Sequence, residues 1–133
     1  MYTMNPNFTT IFNKHFEEFL EDILQVFPNN VDILTAKNSL LTIKKANPKM
    51  LVKIWYNYVA FPYNAEIESG NIDFFVSKDY SKDIEKAGQS DKIMEAIDRL
   101  RDPIKQMSKE NQEKTMKFIQ NLSKISFMSE NNK

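Results

Sequence analysis

His15 is the only histidine in the chain, and imidazole is the side chain best suited to taking and giving a proton at neutral pH. Glu18 and Asp22 follow it at i+3 and i+7, so on a helix the three share one side and can hold a proton or a metal ion. A single imidazole with two carboxylates still lacks a second ligand-bearing helix, and the same acids also continue a solvated face. Other catalytic patterns are missing. The chain has no cysteine, hence no thiolate nucleophile, disulfide or thiolate zinc site. No serine stands in G-x-S-x-G, and neither Gly70 nor Gly88 belongs to a phosphate-binding loop. Asp79, Asp83 and Glu85 do not form the twelve-residue loop that calcium requires. These residues predict a protein that is not an enzyme, with no cofactor, no metal and no small-molecule substrate.

A second chemistry is charge. Between Ile33 and Ala65 stand Lys37, Lys44, Lys45, Lys49 and Lys53 with no acid among them, interleaved with Trp55, Tyr56, Tyr58 and Tyr63. Such a stretch can bind phosphates through lysine and stack a base on an aromatic ring such as Tyr56. It contains no arginine, so it offers point charges without bidentate reading of base edges. The outer face of the first helix carries the complementary sign in Glu17, Glu18, Glu21 and Asp22. Two opposite patches on a chain with 18 Lys+Arg and 18 Asp+Glu suit a protein partner or self-association. The zero net charge excludes a global field that would steer the chain to nucleic acid or an anionic membrane.

The elements that must position these groups are helices. Only two glycines in 133 residues argue against β hairpins, and the length fits one domain, with ten Phe and five Tyr for its core. Phe8, Phe12, Phe16, Phe19, Leu20, Ile23, Leu24 and Phe27 share one arc of a helix that Pro28 stops. A second helix over Val31–Ala46 has Ile33, Leu34, Ala36, Leu40, Leu41 and Ile43 as its apolar arc. Lys37 and Lys44 fall inside that arc, either snorkelling or facing a partner.

The stretch Asn47–Pro62 predicts the central helix, capped by the Asn47 side chain, with Pro48 at its first position. Its inward face would be Met50, Leu51, Ile54, Trp55, Tyr58, Val59 and Phe61; Lys49, Lys53, Asn57 and Ala60 would face out. Short helical turns over 63–69 and after Asn71 follow, a strand over 72–76 being the alternative for the latter, then a charged loop over 77–89. Ser90 would cap a helix whose stripe of Ile93, Ile97, Leu100, Ile104 and Met107 passes through a kink at Pro103. Ser108 would cap a last helix to about Ser126, with Met116, Phe118, Ile119, Leu122 and Ile125 inward. The expected fold is all-α: a compact single-domain bundle of about five main helices with short extra turns, ordered over about 8–126, with tails at 1–7 and 127–133.

The segments F-N-K-H-F-E-E-F-L-E-D-I-L-Q-V-F-P, K-A-N-P-K-M, F-F-V-S-K-D-Y and N-Q-E-K-T-M-K-F-I-Q-N-L resemble a group of small proteins of nucleocytoplasmic large DNA viruses. No activity is attached to that group, so no residue inherits a role from it. The resemblance implies a context: an infected cytoplasm, the viral factory or the virus particle. Together these readings predict a non-enzymatic interaction or structural protein, virion-associated or an assembly adaptor. The alternative is a nucleic-acid-binding accessory of viral replication or transcription that uses the lysine-rich hairpin. The N-terminal M-Y-T-M-N-P-N lacks a basic segment followed by an apolar run, and no run of about 18 apolar residues occurs, so neither secretion nor membrane insertion is expected.

Overall fold

Asparagines set the boundaries of the first two helices. In the computed structural model, which describes residues 7–77 and 91–131, the Asn7 side chain accepts from the Thr10 N–H at 3.1 Å and opens α1, Phe8–Val26. Asn30 does the same for the Ile33 N–H and opens α2, Val31–Ala46. Asp32 in the first turn of α2 and Lys44 and Lys45 in its last turn each suit the helix dipole. Asn47, expected to cap the next helix, closes α2 instead: its own N–H donates to the Ile43 carbonyl at 2.8 Å. The central helix α3, Met50–Trp55, therefore starts after a turn through Pro48, and no side chain caps it.

From Trp55 the helix continues as a π-helical turn, Tyr56–Ala60, in which the Phe61 N–H reaches the Tyr56 carbonyl at 2.9 Å. This turn corrects the expected inward face. A π turn holds one more residue than an α turn, so positions beyond it rotate: Val59 and Ala60 are fully buried, while Phe61 is 64% exposed. Next come α4, Asn64–Glu68, and α5, Ile72–Ser77. Gly70, at φ 76°, takes the left-handed conformation needed between them, and the Asn71 side chain accepts from the Asp73 N–H. The strand alternative for 72–76 is thus replaced by helix.

The expected loop over 77–89 and the Ser90 cap fall, except for Ser77 at the end of α5, outside the described residues. The chain resumes with α6, Asp91–Arg99, a one-residue turn at Leu100, and α7, Arg101–Lys105. The kink expected at Pro103 is instead a break between two helices, three residues earlier at Leu100. Proline cannot donate to the carbonyl four residues back and its ring crowds that carbonyl, which belongs to Arg99, the last residue of α6. Leu100 turns inward with a tighter bond to the Ile97 carbonyl, and the whole stripe from Ile93 to Met107 stays buried.

Ser108 accepts from the Asn111 N–H and opens α8, Lys109–Asn131. This helix passes the expected end at Ser126 by five residues. Its amphipathic pattern persists through Phe127, whose ring meets Tyr56 edge-on at 5.2 Å.

The chain is all-α, and no strand occurs among the described residues. α8 packs along α1, α2 packs against α6, and α3 touches α1, α2, α6 and α8. Where α1, α3, α5 and α8 meet, Trp55 is fully buried, with Phe16 edge-on at 5.6 Å and Phe12 and Phe75 tilted against it at 6.3 and 6.4 Å. One core cluster draws residues from all of these helices.

Candidate interaction surfaces

Side chains expected to do chemistry are placed apart or paired off. His15 lies half-buried with its ring 5.0 Å from that of Phe118. Asp22 sits in the seam between α1 and α8 and accepts from Lys114 at 2.7 Å; Glu18 and Glu21 are exposed. The carboxylate that would complete a site with His15 is thus engaged by a lysine. Among the described residues no group of three or more His, Asp or Glu side chains is placed to hold a metal ion.

Lys44 and Glu17 meet each other. Their ion pair ties α2 to α1 and explains why a lysine occupies the apolar arc of α2: its stem runs along the helix interface and its charge ends on an acid of the neighbouring helix. Each of the two expected patches therefore loses a member to the other within one chain. Lys37 is half-buried, while Lys45, Lys49 and Lys53 are exposed; none of these four enters an ion pair among the described residues. Lys49 and Lys53 line a groove of about 390 Å³ together with Val52, Thr9 from the start of α1, and Ser129 and Glu130 from the end of α8. Tyr56, grouped with the lysines in the sequence, belongs to a different surface.

That surface was not legible in the sequence. Tyr56 lies between Phe127 and Phe61, whose ring centroids are 5.2 and 5.8 Å away. Phe61 and Met128 are both large apolar side chains with high exposure, 64% and 44%. Next to them runs a groove of about 520 Å³ between α4 and the second half of α8, lined by Asn64, Ile67, Glu68, Lys124, Phe127 and Met128 among others. Ile67 forms its buried apolar wall, and the Gln120 side chain holds α4 to α8 by donating to the Ile67 carbonyl at 2.9 Å. The signal that could have found this surface is Phe61 itself, followed directly by Pro62 at the end of an apolar run. A period of 3.6 carried straight to the end of the helix turns that residue inward.

No membrane-crossing helix exists among the described residues, none being both long and apolar enough. No protein-family model matches the chain, and no curated protein or solved structure matches it.

Proposed function

We propose that the chain is a non-catalytic helical interaction protein, a virion component or assembly adaptor of a large DNA virus, acting in the infected cytoplasm or in the particle. It docks a protein through the face of Phe61, Tyr56, Phe127 and Met128. The observation that carries this reading is the exposed Phe61 ring, joined through Tyr56 to Phe127, which lines a partly apolar groove. Large apolar side chains clustered at one place on a surface mark interaction sites, and aromatic anchors carry much of the energy of protein interfaces. The viral setting is supported by the resemblance of the four segments quoted above.

A photo-cross-linking amino acid placed at position 61, with position 21 on the acidic face of α1 as control, tests the reading in infected cells. The expected result is a discrete cross-linked protein from position 61 and none from position 21. Equal backgrounds at the two positions would remove the proposal.

A second reading is favoured by the Lys49–Lys53 groove. Its two exposed lysines, with Lys45 nearby in sequence and hydroxyls from Thr9 and Ser129 in the lining, suit a nucleic-acid backbone, Glu130 being the one acid of that lining. Binding of labelled single- and double-stranded DNA and RNA by fluorescence anisotropy should then weaken steeply between roughly 50 and 200 mM salt. Replacing Lys45, Lys49 and Lys53 by Glu should flatten the slope of log K against log salt by about 2 to 3. An unchanged slope would reject the lysines as the contact.

A further inference from the structure

Resting on the interaction reading above, we infer that the occupant of this face is a second copy of the chain, docked about a two-fold axis so that Phe61 of each copy enters the other's groove between α4 and α8. A two-fold contact needs a surface that is complementary to itself. This face carries both halves of such a contact side by side. The projecting part is Phe61, three residues before Asn64 at the groove edge, its ring braced through Tyr56 onto Phe127. The receiving part is the groove, with Ile67 and Phe127 as apolar walls and more room than a phenyl ring fills.

Charge selects the same occupant. Glu68 stands on the α4 wall and Lys124 on the α8 wall; both are exposed, and neither enters an ion pair among the described residues. A two-fold operation across the groove sets Glu68 of one copy opposite the partner's Lys124, and repeats that pairing on the other side. A uniformly acidic or basic partner would meet a like charge on one wall. The formal net charge of zero leaves no long-range repulsion between two copies.

Light scattering coupled to size exclusion, and sedimentation velocity over a concentration series, test the inference on the full chain. Phe61, Glu68 and Lys124 are all exposed, so Phe61→Ser, Glu68→Lys and Lys124→Glu leave the fold intact by circular dichroism. The wild-type chain should dimerise. Phe61→Ser should weaken dimerisation by about 30-fold or more, as loss of a central aromatic anchor does. Glu68→Lys and Lys124→Glu should each weaken it roughly tenfold, because each sets like charges opposite one another.

An equimolar mixture of Glu68→Lys and Lys124→Glu chains should recover dimer, because the mixed pair restores opposite charges at both contacts. A charge acting within its own chain would not be rescued by mixing. A wild-type protein that stays monomeric at high micromolar concentration, or a dimer indifferent to Phe61→Ser, would overturn the inference. If the chain is monomeric but position 61 cross-links a different protein, the second copy is rejected and the interaction reading stands. If dimer and cross-link are both absent, both fall.

Discussion

Taking the hydroxyl off Ser123 would leave the Trp55 indole N–H buried without the acceptor it now has at 3.1 Å. An unsatisfied buried donor costs about 1–3 kcal/mol, so Ser123→Ala should lower stability by that amount in urea unfolding. Trp55→Phe removes the donor as well as part of the packing, and in that background Ser123→Ala should cost clearly less; equal costs in both backgrounds would show that the bond contributes nothing. Ser123, with Thr115 and Ser126, lines the inner side of α8, and an apolar stripe read from sequence passes over all three. Thr115 donates to the Met107 sulfur and Ser126 to the Ser123 carbonyl, so each is satisfied locally. Lys44 presents the opposite case: its position inside an apolar arc is plain in the sequence, but its partner Glu17 lies 27 residues away. The anomaly was legible and its resolution was not, because only the packing of α1 on α2 brings the two together. Asp22 and Lys114 repeat this across α1 and α8, with Asp22 14% and Lys114 60% exposed. Asp22→Asn should cost about 1 kcal/mol, and a double-mutant cycle with Lys114→Ala should return a coupling of at most that size.

Between Trp55 and Phe61 the helix changes pitch, and this element separates the legible part of the fold from the rest. Helix α2 matches its expected limits and α1 ends one residue short of Phe27, because caps, prolines and strong periodicity act locally. The influence of Pro103 was readable, since a proline acts on the carbonyl four residues back whatever surrounds it, but its form was not: the expected kink at Pro103 is a break at Leu100 between two helices. A π turn has no such local marker. It forms where tertiary packing favours burying Val59 and Ala60 together over keeping a uniform α-helical pitch, and everything after it rotates. The register yields a paired prediction with opposite signs for the two geometries. Ala60→Leu should destabilise by about 1–3 kcal/mol, because Ala60 is fully buried and extra methylenes overpack the core. Phe61→Ser, in dilute protein, should change stability by no more than about 0.5 kcal/mol. A uniform α-helix with Phe61 inward and Ala60 outward demands the reverse order, so urea denaturation of the two variants decides between them.

Cooperativity is where the whole molecule can be interrogated, since Trp55 is its only tryptophan and stands where α1, α3, α5 and α8 meet. Among the described residues the core is one cluster with contributions from α1 through α8, so no group of these helices has an apolar interior of its own to retain. Loss of helix by far-UV circular dichroism and loss of the buried environment by Trp55 emission should therefore follow one transition with coincident midpoints. A tryptophan transition that precedes the loss of helix would show that the helices hold together without their common centre. The same experiment reaches the surface outside that centre. If two copies dock through Phe61 and the groove between α4 and α8, native dimer is drawn from the unfolding equilibrium by mass action, and the midpoint must rise with protein concentration. Phe61→Ser leaves the core untouched but removes the anchor, so its midpoint should be flat over the same range and meet that of the wild type at the dilute end. A concentration-dependent midpoint that survives in Phe61→Ser would place the association on another surface, with the exposed Lys45, Lys49 and Lys53 and the acids of α1 next in line.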